Sequence, residues 1–209
     1  MHYRFLPASD RATAPTLLLL HGTGGDENDL LPAGQQLAPG FNLLGVRGNV
    51  PENGAPRFFR RLAMGVFDED DVRFRADELA EFVRKTAETE EVDGQKIIAL
   101  GYSNGANIGG ALLLRHPTLL AGAALWRAML PLQDPGPAVR SNGAPVLLIS
   151  GASDPYYQPE GIKRYEQWLT ESGFAVEHRL LTASHGLTRT DLKTTADWLS
   201  RHFSENKTI

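Results

Sequence analysis

Ser103 sits in Gly101-Tyr102-Ser103-Asn104-Gly105, which an apolar run at residues 97–100 enters and a small-residue helical segment leaves. A serine on so sharp a strand-to-helix turn is held in a strained conformation with its hydroxyl exposed, as a nucleophile requires. The flanking glycines are needed because a side chain at either place would collide with the neighbouring strand or helix. The turn also sets the serine at a helix N-terminus, where the backbone N–H of Asn104 can meet a negatively charged oxygen.

A second glycine-rich segment points to the same chemistry. The buried run 17–20 ends in His21-Gly22-Thr23-Gly24-Gly25, whose glycines let the chain turn beneath a substrate carbonyl. The N–H of Thr23, with that of Asn104, can then stabilise a developing alkoxide. His21 lies far ahead of the serine and is read as bracing this loop rather than as a base.

A serine nucleophile needs a base oriented by an acid, and on this kind of scaffold both follow the serine in the order acid, then histidine. Of the late histidines, His178 falls within a strand and His202 at the end of the final helix. His185, in Thr182-Ala183-Ser184-His185-Gly186-Leu187, has a strand-to-helix loop to itself. Its intrinsic pKa suits proton transfer. Asp154 comes just past the buried strand 146–150 and is preferred as the acid over Asp134, which lacks a strong preceding strand.

The elements that must position these groups alternate: apolar runs of strand length with segments of helical period. Strands are expected at 16–21, 42–46, 97–101, 146–150 and 176–181, with a weaker one at 121–126. Val72, Ala76, Leu79, Ala80, Val83 and Ala87 share one helical face behind the acidic start 68–71. A helix over 104–115 stops at His116-Pro117, and Pro159 opens another with Ile162, Tyr165 and Leu169 inward. Thr188-Arg189-Thr190-Asp191 resembles a capping box for a last helix that turns Leu192, Thr195, Leu199 and Phe203 inward. The tail 204–209 is expected to fray, and 131–145 to form one surface loop. The pattern predicts an α/β fold of the α/β-hydrolase type: a mostly parallel central sheet, helices on both faces and minimal or no lid, in one domain spanning 1–209.

Composition narrows the classes further. With 209 residues, 42% hydrophobic and 22% charged, the chain reads as an ordinary globular protein. A net charge of -4, with no basic run longer than Arg57-Phe58-Phe59-Arg60-Arg61, argues against nucleic acid as a partner. The absence of cysteine removes disulfides, thiolate metal sites and a cysteine nucleophile. No segment reads as a leader or a membrane span, so a cytoplasmic location without stable membrane insertion is expected.

LLLLHGTGGDENDLLP, GVRGNVPENGAPRFFRRLAMGVFDEDD and GYSNGANI together resemble the phospholipase/carboxylesterase family of α/β-hydrolases, and within it the bacterial quinone-responsive serine hydrolases of the MhqD-like group. The resemblance implies a serine carboxylesterase with Ser103, Asp154 and His185 as nucleophile, acid and base, Thr23 and Asn104 as oxyanion donors, and no metal or organic cofactor. A homodimer is implied by the same resemblance. The expected substrate is a small ester or thioester, cleaved through an acyl-enzyme. Asn104 and Gly25 stand where acyl-protein thioesterases typically have Gln and Asp, which weakens a protein-depalmitoylating role. Lysophospholipase or acyl-protein thioesterase activity, or a catalytically silent binding protein on this fold, are the alternatives.

For the substrate cavity, Phe58, Phe59, Met64, Trp126 and Leu130 are the expected lining, with Phe67, Met129 and Leu132 also available. Arg57, Arg60 and Arg61 either attract an acidic substrate or pair with the acidic run 68–71.

Overall fold

The computed structural model describes residues 1–134 and 140–203. Along the chain come β1 (Tyr3–Leu6), β2 (Thr16–Leu20), α1 (Leu31–Leu37), β3 (Asn42–Val46), β4 (Val50–Glu52), β5 (Ala55–Arg57), β6 (Arg61–Ala63), β7 (Val66–Phe67), α2 (Glu69–Thr89), β8 (Ile97–Tyr102), α3 (Asn104–Arg115), β9 (Gly122–Trp126), β10 (Pro145–Gly151), α4 (Pro159–Glu171), β11 (Ala175–Leu181) and α5 (Arg189–Phe203). Seven strands form the main sheet in the order β1-β3-β2-β8-β9-β10-β11. Six of them run parallel, and β1 pairs antiparallel with β3 at one edge.

Strand side chains alternate between the two faces of a sheet, and the core divides by this rule. Leu18, Leu20, Ala99, Leu125 and Leu148 turn toward α2, α3 and α4. Leu17, Leu19, Ile98, Leu100, Trp126 and Ile149 turn toward α1 and α5. Both faces are covered, which is why the inner strands read as unbroken apolar runs rather than alternating ones. At the far edge β11 carries Glu177 and Arg179, charges that discourage edge-to-edge pairing.

All six expected strands form with ends within one residue of expectation, and the weak one, β9, is buried along its whole length. Asp68 caps α2 by accepting the Asp71 N–H, and Glu69, Asp70 and Asp71 fill the first turn. The expected capping box at α5 forms by half. Asp191 accepts from the Thr188 N–H, but the Thr188 hydroxyl also donates to Asp191 instead of accepting from its N–H. On the inner face of α5, Trp198 joins Thr195 and Leu199 as a buried residue.

Four short strands, β1 and α1 were not anticipated. The first hairpin turns at Asn53-Gly54, both at positive φ, the pairing a two-residue hairpin favours. Together β4–β5 and β6–β7 carry residues 50–67 across the C-terminal edge of the main sheet. The expected fraying of 204–209, and the centre of the expected loop 131–145, fall outside the described residues.

Candidate active site

Five strands deliver the site from one edge. β2 ends at the His21-Gly22-Thr23 loop, β8 at Ser103, β9 at Arg127, β10 ahead of Asp154 and β11 ahead of His185. In a parallel sheet this carboxyl edge is where loops converge on a ligand.

Ser103 stands between β8 and α3 with φ 52° and ψ -112°, a backbone that L side chains rarely adopt. The space explains its neighbours: a Cβ on Gly105 would lie 2.0 Å from the Leu20 carbonyl oxygen, and one on Gly101 2.6 Å from the carbonyl oxygen of Gly105. The Ser103 N–H is tied to the Trp126 carbonyl at 2.9 Å, so the turn is fastened to the adjacent strand.

Ser103 Oγ lies 3.0 Å from His185 Nε2, and His185 Nδ1 lies 2.8 Å from Asp154 Oδ2. The other Asp154 oxygen accepts the Tyr156 N–H. The carboxylate is nearly enclosed, its side chain 3% exposed against 28% for His185. It is therefore fixed, while the imidazole keeps a face toward the cavity. Tyr156 meets the His185 ring edge-on at 5.1 Å, and the Tyr102 hydroxyl donates to the His185 carbonyl. Burial raises the Tyr102 phenol above its ordinary pKa, which keeps it a donor. Asp134 is placed elsewhere, with its carbonyl accepting from Arg73 on α2.

Thr23, Ser103 and Asn104 line one cavity of about 270 Å³. As the first residue of α3, Asn104 has a backbone N–H without an intrahelical acceptor. Its side-chain oxygen accepts the Phe58 N–H at 2.8 Å, and its buried Nδ2 has no partner among the described residues. His21 braces the loop from beneath: Nδ1–H donates to the Gly22 carbonyl and Nε2 accepts the Gly48 N–H. Burial pulls its pKa below the ordinary value of 6.5, with the Gly22 carbonyl opposing. A group depressed in this way contributes stability that is complete above the unfolded value and lost as pH falls through the folded one. The urea midpoint of the wild type is expected to fall between pH 7.5 and pH 5 more than that of His21→Asn. Equal falls would remove His21 as the cause.

The expected aromatic lining needs correcting. Phe58, Phe59 and Trp126 are buried in the core and none lines the cavity. Phe58 packs on the His21 ring at 4.8 Å, Phe59 on Phe67, and Trp126 sends its indole N–H to Thr195 on α5. Large rings reward complete burial, and the sheet interior offers more of it than a cavity wall. Leu132 is core as well, and Leu130 lines a neighbouring groove. Met64, Phe67 and Met129 do face the cavity, joined by Arg57, Arg61, Tyr102, Asn107, Arg127 and Tyr156. The basic run divides: Arg60 pairs with Asp68, whereas Arg57 and Arg61 turn to Glu52.

Sequence reasoning missed Arg127 entirely. It holds φ 57° just past β9, and its side chain and that of Asp191 are both 0% exposed and joined at 2.7 Å. Its remaining donors reach the carbonyls of Ser184 and Gly186, the residues on either side of His185. The available signal was a lone arginine directly after an apolar strand.

The family model described as Phospholipase/Carboxylesterase matches residues 59–203. The chain belongs to that family. It is 42% identical over 185 residues to "Putative hydrolase MhqD" of Bacillus subtilis (strain 168), covering 87% of this chain and 90% of that protein. The Bacillus cereus carboxylesterase structure superposes with a TM-score of 0.91 at 39% identity, covering 96% of this chain and 94% of the other. YahD, solved with malic acid, gives 0.90 at 28% identity, with coverage of 96% and 98%. The α/β-hydrolase architecture and a carboxylic ester hydrolase activity follow from this membership. Among the described residues no helix is long and apolar enough to cross a membrane.

Proposed function

We propose that the protein is a serine carboxylesterase that hydrolyses small esters or thioesters through an acyl-enzyme on Ser103. The observation that carries this reading is the run of contacts from Asp154 Oδ2 to His185 Nδ1, and from His185 Nε2 to Ser103 Oγ, at 2.8 and 3.0 Å. His185 Nε2 takes the Ser103 proton as Oγ bonds to the substrate carbonyl carbon. The carbonyl π pair moves onto oxygen, where the N–H groups of Thr23 and Asn104 stabilise it. Collapse of the tetrahedral species breaks the bond to the leaving oxygen or sulfur, which receives the proton from His185. Water then repeats the sequence: its proton goes to His185, its oxygen bonds to the acyl carbon, and Ser103 leaves with the proton returned.

A cavity near 270 Å³ lies at the small end of ligand sites and favours short acyl groups over a lipid tail. The structure of YahD with malic acid supports the same scale of ligand. A fluorophosphonate probe tests the reading directly: intact mass should show one adduct, mapped to Ser103 and absent in Ser103→Ala. An adduct on another residue, or a wild type that neither labels nor cleaves a short nitrophenyl ester, overturns it.

A further inference from the structure

The charges around the cavity are of one sign. Among the described lining residues the charged side chains are Arg57, Arg61 and Arg127, with no carboxylate. Arg127 is neutralised by Asp191. Among the described residues Arg57 and Arg61 share a single acid: Arg61 grips Glu52 through two contacts at 2.9 and 2.7 Å, leaving Arg57 at 3.7 Å from it. Two guanidiniums against one carboxylate leave one positive charge uncompensated. The neighbouring acids Asp68 and Asp71 are engaged with Arg60 and Arg75.

These arginines are also placed firmly. The Arg57 side chain is 4% exposed, with its guanidinium donating to the Thr23 hydroxyl at 2.7 Å and to the Phe59 carbonyl. Arg61 is 25% exposed at the start of the β6–β7 hairpin. A partly desolvated guanidinium acts through a lower dielectric than one in bulk water and recognises carboxylates in a fixed, forked geometry. Met64, Phe67 and Met129 supply apolar wall in the same cavity, suited to a short methylene spacer.

The geometry points to a carboxylate subsite formed by Arg57 and Arg61, so that the substrate is a short ester carrying a second, ionised carboxylate that is not cleaved. The inference rests on the esterase reading of the same cavity and deepens it by naming the substrate class. An uncharged ester leaves the excess charge unmet, whereas a half-ester of a dicarboxylic acid answers it.

The test compares kcat/KM for the mono-4-nitrophenyl ester of glutaric acid with that for 4-nitrophenyl hexanoate, a neutral ester of similar length. The wild type is expected to prefer the half-ester by about tenfold or more, and about 0.5 M salt should erode the preference. Arg61→Gln should bring the ratio close to one and Arg61→Lys should keep part of it, with thermal unfolding showing both variants folded. Arg179→Gln removes the same charge from β11, outside the cavity, and should leave the ratio unchanged. A wild-type ratio near one, or equal losses in Arg61→Gln and Arg179→Gln, overturns the subsite while leaving the esterase standing. If the wild type cleaves neither ester, the esterase reading falls, and calorimetry with glutarate and hexanoate decides the subsite alone. Glutarate should bind at least about tenfold more tightly than hexanoate, with the difference lost in Arg61→Gln; equal binding overturns it.

Discussion

His185→Ala is expected to lower kcat toward a short nitrophenyl ester by about four orders of magnitude or more, with KM changing far less. The expectation follows from what the imidazole touches. Its Nε2 lies 3.0 Å from Ser103 Oγ and takes that proton in the proposed mechanism; without it the hydroxyl must lose its proton to water. Asp154→Asn should cost nearly as much by another route. The amide would present an N–H to His185 Nδ1, and the ring would have to turn its lone pair inward and its proton toward Ser103. Because Asp154 is nearly enclosed, solvent offers no substitute carboxylate. The two losses should not add in the double variant, since the residues act as a unit. Stopped-flow and steady-state hydrolysis measure all three, and full additivity, or a His185→Ala enzyme within about tenfold of wild type, would sink the assignment.

The parts of the site legible in the sequence are those whose chemistry is coupled to local backbone. Ser103 could be found because its strained turn demands Gly101 and Gly105, and the structure shows what each would strike. Asp154 and His185 could be found because each follows a strand end, and in a parallel sheet strand ends share one edge. The inner strands were readable because burial on both faces leaves unbroken apolar runs. β1 was not readable, since a half-exposed four-residue edge strand carries no such run. Nor was α1, with seven residues and two glycine- or proline-bearing positions.

The cavity wall was illegible for a different reason. Apolar character alone does not distinguish Met64, which lines the cavity, from Phe59, which is fully buried. The difference lies in the two hairpins of residues 50–67, whose register decides which side chains face inward. Arg57 and Arg61 stand on one side of that register and Arg60 on the other, so neither reading of the basic run was complete: part of it forms ion pairs with the start of α2 and part faces the site. The Asn53-Gly54 pair was an available hairpin signal, but it went unread.

Arg127→Met is expected to destabilise the fold by about 3–5 kcal/mol, because it leaves Asp191 charged and unpaired in the interior. Asp191 is 0% exposed and also holds the Thr188 N–H and hydroxyl at the start of α5, so it cannot swing out to water without breaking that cap. The double variant Arg127→Met/Asp191→Leu removes the orphaned charge and should recover most of the lost stability in urea titrations. It should not recover turnover. The Ser184 and Gly186 carbonyls, which Arg127 grips on either side of His185, remain without their donor, and displacement of an imidazole by a fraction of an ångström is enough to lower kcat on the order of 10²-fold. Stability restored without kcat separates positioning from folding. A double variant that regains both would mean that the Tyr102 hydroxyl and the Asp154 contact alone hold His185 in place.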